Sequence, residues 1–205
     1  MVRWGGLLLL GLAGSLAPAV SRVADGPNYT ADGQLRYPEK YREWVFLTSG
    51  LDMSYNPKAT AGMGAGTFDN VFVNPEAYRS YQATGHWPQG TMLVLENRGA
   101  ETGKSINQAG KTQARELTGT EVHVLDSAHA DHLSPNGKSD GWTFYGFENK
   151  VSAKAIPRTA DCYACHARHA AVDTTFVQFY PTLQEAAEQH GTFSSAYLRS
   201  IRATQ

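Results

Sequence analysis

Two cysteines three residues apart, followed at once by a histidine, constrain this chain more than any other feature. They stand in Cys162-Tyr163-Ala164-Cys165-His166, and they are the only two cysteines among 205 residues. A secreted chain stapled by disulfides would carry more of them, spread along the sequence to close longer loops. The fold must therefore rest on its core. On a helical turn, residues three apart share a face, so two thiols at this spacing can reach the two vinyl groups of one haem while the adjacent imidazole comes under the iron. The pattern thus predicts a single covalently attached haem c, bound by Cys162 and Cys165, with His166 as the metal ligand. Competing readings meet obstacles. A zinc site wants four ligands and usually a second cysteine pair, which is missing. A thioredoxin-like redox pair would follow a strand, and residues 155–161 do not read as one. Chance occurrence is the remaining alternative.

The N-terminus reads as an address. Met1-Val2-Arg3 gives a positive start, an uncharged apolar run extends from Trp4 to Leu16, and Ala17-Pro18-Ala19 supplies the small residues of a cleavage site. Residues 1–19 are expected to be a signal peptide, residues 20–40 an extended lead-in without stable elements, and residues 41–205 one haem domain. The apolar run is shorter than the roughly 20 residues of a membrane span. A periplasmic or secreted protein follows, with no stable membrane insertion once the signal is removed. Lys plus Arg number 18 against 19 Asp plus Glu, a balance unsuited to nucleic acid, which wants a strongly basic face.

Periodicity and punctuation place the elements. Strands are expected at 43–48, 69–73, 91–96, 121–126 and 142–147, each rich in β-branched and aromatic residues. Asn74-Pro75-Glu76 reads as a helix start, with Asn capping, Pro in the first turn and Glu complementing the dipole; the helix should end at Gly85. Further helices are expected near 162–171, 183–190 and 194–201. Loops are expected at 49–66, where glycines cluster, and at 97–119, a polar stretch read as a mobile excursion. Ser134-Pro135-Asn136-Gly137 is a turn signal. In the last strand, alternation sets Trp142, Phe144 and Gly146 on one face and Thr143, Tyr145 and Phe147 on the other. The fold class is α+β, mainly antiparallel, with about five strands and packed helices.

The remaining histidines divide by context. His169 lies too near His166 to reach the opposite side of a haem, so a solvated position or a contact with a haem propionate is expected. His86, His129, His132 and His190 fall in loops or at a helix end, where exposure is expected. His123, inside a strand pattern, reads as a hydrogen-bonded core residue with the haem pocket as its alternative. An electron-transfer cytochrome would add a methionine or second histidine as sixth ligand. Met92 reads as core, while Met53 and Met63 lie in the glycine-rich loop and could swing in. A five-stranded domain is larger than a helical electron carrier, which favours an open iron face.

Beyond the haem motif, an ordered series of matches resembles the cytochrome P-460 family, which includes cytochrome c′-β. The residues are Tyr41-Arg42-Glu43-Trp44-Val45, Val71-Phe72-Val73-Asn74-Pro75-Glu76-Ala77-Tyr78, Tyr81, Thr84-Gly85-His86-Trp87-Pro88-Gln89-Gly90-Thr91, Gly141-Trp142-Thr143-Phe144, the cysteine motif, and Phe176-Val177-Gln178-Phe179-Tyr180-Pro181. The resemblance implies a five-stranded antiparallel sheet, usually in a homodimer, and a five-coordinate haem on His166. One branch of the family oxidises hydroxylamine and cross-links a lysine to the haem; the other lacks the link and binds gases such as nitric oxide. The stretch that reads Leu-Val-Lys-Glu in many relatives is here Leu93-Val94-Leu95-Glu96, so the cross-link is not expected unless Lys104 or Lys111 replaces it. For the open face the candidates are Phe72, Phe68, Trp142 and Phe144, with Glu96 and Arg98 as polar members, while Trp44 and Phe46 could lie buried under the sheet. The expected function is binding or transforming a small gaseous or nitrogenous ligand such as nitric oxide, with a redox-partner cytochrome possible. Hydroxylamine oxidation, and electron transfer with a Met sixth ligand, are the alternatives.

Overall fold

The computed structural model describes residues 1, 25–55, 66–104, 106–133, 139–148 and 151–203. The signal segment from residue 2 onward, Met63 and the turn at Ser134 to Gly137 lie outside the described residues, as does the side chain of His132. A five-stranded antiparallel sheet runs in sequence order through β2 (Val45–Leu51), β3 (Thr67–Val73), β4 (Thr91–Thr102), β5 (Lys111–Leu125) and β6 (Trp142–Phe147). A small second sheet pairs β1 (Leu35–Arg36) with β7 (Ser152–Ala153). Helices α1 (Pro75–Thr84), α2 (Ser127–Leu133), α3 (Asp161–His169), α4 (Pro181–His190) and α5 (Ser195–Ala203) complete the chain. The α+β class with a five-stranded antiparallel sheet agrees with the sequence reading.

Each sheet face has its own core, as strand alternation requires. Val73, Leu93, Leu125 and Trp142 turn toward one face and pack against Tyr81, Trp87, Leu183 and Ala187. Met92, Val94, Val122, Val124, Tyr145 and Phe147 turn toward the other and pack against Leu35 and Tyr41. The predicted alternation in β6 is what the structure contains.

Four expectations need correction. Residues 97–119 are not a mobile excursion: β4 and β5 continue through them as a long hairpin, with Glu101 opposite Thr112 and Thr102 opposite Lys111. Register shifts near Arg98 interrupt the alternation there, and the residues are polar on both sides, which disguises a strand. The lead-in is not structureless, because Leu35 is fully buried and pairs with Ala153 far along the chain. Asn74 does not cap α1 through its side chain. Its amide instead donates to Gly90 O at 3.0 Å and its carbonyl accepts from Met92 N at 2.9 Å, tying the helix start to β4. Phe46 is half exposed at the sheet edge, its ring against Phe72.

Candidate functional site

Helix α3 sets the cysteine motif. Ala160 precedes it in extended backbone, Asp161 complements the dipole in its first turn, and Ala170 returns to extended backbone at its end. Cys162 and Cys165 are unpaired thiols one turn apart, both partly buried. Burial pushes the Cys162 thiol above its ordinary pKa, with Glu121 adding to the effect. Tyr163 fastens the helix to the sheet edge: its hydroxyl accepts from Phe144 N and donates to Ile156 O, both at 3.2 Å, and Arg158 stacks over its ring.

His166 is held on several sides. Its Nδ1 lies 2.7 Å from the carbonyl oxygen of Thr174. A carbonyl can only accept, so Nδ1 carries the proton and Nε2 keeps its lone pair. Phe176, Phe144 and His123 surround the ring with centroids at 4.3, 4.6 and 5.2 Å. Burial lowers the imidazole pKa, with the Thr174 carbonyl opposing, which favours the neutral, ligating form. The turn that presents this carbonyl is pinned by Thr175, whose hydroxyl donates to Val172 O at 2.6 Å and accepts from Trp87 Nε1 at 2.9 Å.

The motif opens onto a cavity of about 580 Å³ bordered by Cys165, Leu95, Val71, Asp69, Met53 and Tyr55, among others. A narrower space of about 110 Å³, bordered by His166, His123, Phe144 and Glu121, shares with it Val71, Leu95, Phe176 and Tyr180. The larger volume lies within the roughly 300–1,000 Å³ of small-molecule and cofactor sites, and the walls are mainly apolar, as those sites require. Two carboxylates stand at the wall. Glu121, directly across from Leu95 on β5, is exposed at the surface, yet the protein crowded around it, with Asp69 adding, raises its pKa. Asp69 is raised by burial, with Asn97 opposing and Asp52 adding.

The sheet separates the candidates named from the sequence. Phe144 borders the cavity and meets His166, and Trp142 lies on the same face behind His123. Phe72 and Glu96 face the opposite side, Phe72 against Tyr41 and Glu96 in a buried cluster with Tyr41, Arg42 and Arg98. Phe68 shares the parity of Phe72, and Arg98 binds Glu96 at 2.5 Å. These four are therefore corrected: a sheet lies between them and His166. Leu95 and Glu121 take their place on the cavity side. Lys104 pairs with Glu101 near the hairpin tip and Lys111 is exposed at the start of β5, so neither borders the cavity.

Among the other sequence candidates, Met92 is buried on the opposite face and Met53 borders the cavity. His169 stacks on Tyr55 at 4.2 Å. His86 and His190 are exposed, whereas His129 stacks on Tyr29 at 3.8 Å and is only partly accessible. Glu121 carried one usable signal, a charge inside a strand pattern two residues before a histidine of the same parity.

The model of the family described as cytochrome P460 matches residues 38–177. The chain belongs to the cytochrome P460 family. It is a haem-binding cytochrome, and the match spans the five-stranded sheet, the cysteine motif and most of the cavity lining. A search of curated proteins finds no match. The donor set of this cytochrome suits the cofactor: two thiols one turn apart, an imidazole whose Nδ1 is occupied by a carbonyl so that Nε2 keeps its lone pair, and mainly apolar walls around about 580 Å³. Among the described residues no helix is long and apolar enough to cross a membrane.

Proposed function

We propose that this cytochrome is exported, carries one haem c on Cys162 and Cys165 with His166 Nε2 as iron ligand, and binds a small nitrogen compound such as nitric oxide at the open face. The observation that carries this reading is the Thr174 carbonyl on His166 Nδ1, which leaves the other nitrogen with a lone pair available to a metal beside the cavity. When bound, haem iron supplies an open coordination position and one-electron redox chemistry.

The chain's own residues set what that position accepts. Phe144 and Phe176 hold the imidazole plane, and Leu95 with Val71 presents an apolar wall. Such a wall discriminates against free anions, which lose hydration with no donor on it to replace the lost water, and favours small neutral ligands. Leu95 offers no amine, which supports the branch of the family without a lysine link.

Glu121 favours a second reading, oxidation of hydroxylamine or a similar compound. A solvent-accessible carboxylate whose pKa is raised by its crowded surroundings is placed to take a proton from an N–H or O–H substrate. Met53, at the cavity wall, is the observation favouring a third, a plain electron carrier with a methionine sixth ligand. A homodimer and a redox-partner cytochrome complete the proposal.

The visible spectrum of the purified protein, oxidised and reduced, tests these readings. A high-spin ferric haem that takes up nitric oxide or carbon monoxide on reduction is the expected result. A low-spin spectrum unmoved by either gas rejects the proposal in favour of Met53. Steady turnover of hydroxylamine with an artificial electron acceptor supports the second reading.

A further inference from the structure

Beside the iron ligand the fold leaves a polar atom unsatisfied. His123 stands on β5 between Leu93 and Phe144 of the neighbouring strands and is 6% exposed. Its ring stacks on Phe144 at 3.9 Å with 7° between the planes, and it meets His166 edgewise at 5.2 Å and 74°. Its Nε2 is buried and has no hydrogen-bond partner among the described residues. A buried orphan of this kind forfeits its hydration without replacement, and an apolar side chain would fill the position without that cost. The ring borders the same cavity as His166.

The cavity's other walls are mainly apolar, with Glu121, Thr175 and Tyr180 as the polar exceptions, and suit the apolar body of a porphyrin, whose side chains include only two polar groups, both carboxylates. A ligand on the far face of the iron is out of reach. A metal lies about 2 Å from an imidazole nitrogen and packed atoms lie about 3.5 Å apart, so far-face groups lie about 5.5 Å beyond His166 Nε2. The two ring centres are closer than that. His123 therefore belongs to the His166 side.

We propose that His123 donates a hydrogen bond from Nε2 to a haem carboxylate on the His166 side of the ring, a role that rests on the haem reading above. A carboxylate only accepts, so Nε2 carries the proton in this bond. The bond satisfies the orphan and ties the haem to β5 independently of α3.

The haem-loaded protein and its H123F and H123Q variants test this through the midpoint potential and the propionate bending band in the resonance Raman spectrum. Phe keeps the stack on Phe144 and loses the donor; Gln keeps a donor and loses the stack. Without the donor, the carboxylate's negative charge is less compensated and favours ferric iron. H123F is expected to shift the potential downward and move the propionate band, and H123Q to stay near the parent on both. An unshifted potential and band in H123F, or equal shifts in the two variants, overturns the proposal. Should H123F fail to take up haem, H123L, with neither ring nor donor, provides the same comparison. A parent protein without covalent haem overturns the haem reading and this proposal together, whereas intact haem with unshifted variants overturns this proposal alone.

Discussion

His166 gives its Nδ1 proton to the carbonyl oxygen of Thr174 at 2.7 Å, and that carbonyl is presented by two consecutive residues in left-handed backbone, Asp173 at φ 45° and Thr174 at φ 60°. Non-glycine residues in this region cost of order 1–3 kcal/mol each. The cost falls where the carbonyl must meet the imidazole, so the strain and the ligand's orientation are one feature.

T174G keeps the carbonyl, relieves the backbone and loosens the unfolded chain by about 0.5–1 kcal/mol. Stability is expected to rise by about 0–2.5 kcal/mol, with the haem spectrum unchanged. T174P cannot adopt a positive φ. It is expected to lose more than about 1–3 kcal/mol and to alter the spectrum, as denaturant unfolding and visible absorption will measure.

Covalent attachment should follow the thiols. C162S and C165S are each expected to retain one thioether bond, and the double variant none, as read by haem staining of denaturing gels and by intact mass. H166A should keep the covalent haem while its axial ligation, and hence its spectrum, changes.

Glu96 is 3% exposed and binds Arg42 and Arg98, with Tyr41 donating to it. E96L strands Arg98, whose side chain is 17% exposed. Breaking a fully buried pair costs about 3–5 kcal/mol; here Arg42 is half exposed, so a loss of about 2–3 kcal/mol is expected after allowing for solvent screening. Ligand binding should be unchanged, because this cluster lies across the sheet from His166. A shifted nitric oxide affinity in a folded E96L protein would contradict that placement.

If hydroxylamine is oxidised, the rate should rise with pH through a value above the ordinary glutamate range, since the carboxylate form of Glu121 exists only above its raised pKa. E121Q should remove that dependence and slow turnover about 100-fold or more. A pH–rate profile of the two proteins decides it.

Before haem is bound, His123 also links stability to pH. Its folded pKa lies well below the unfolded value of about 6.5, so below that pH the unfolded chain binds a proton that the folded chain refuses. Stability therefore rises with pH in the window beneath about 6.5 and is lost as pH falls through it. H123F should flatten this slope, as denaturant midpoints at about pH 5 and pH 7 will show.

The sequence by itself determined what depends on neighbours in the chain. The spacing of Cys162, Cys165 and His166 needs only one helical turn to bring the three together, and the parity of Trp142 and Phe144 needs only the two-residue period of a strand. The ends of α1 followed from Pro75 and from Gly85, which takes φ 71° and gives its N–H to Tyr81 O at 2.7 Å. Tertiary structure decided which face of the sheet meets His166. Leu95 and Glu96 are adjacent, yet one borders the cavity and the other is sealed behind the sheet, because a strand turns successive side chains to opposite sides. Pairings such as Leu35 with Ala153, and the Thr174 carbonyl's approach to His166, depend on closing the chain around both cores. Periodicity within a segment carries no record of what packs against it, so these relationships exist only once the sheet and helices are assembled.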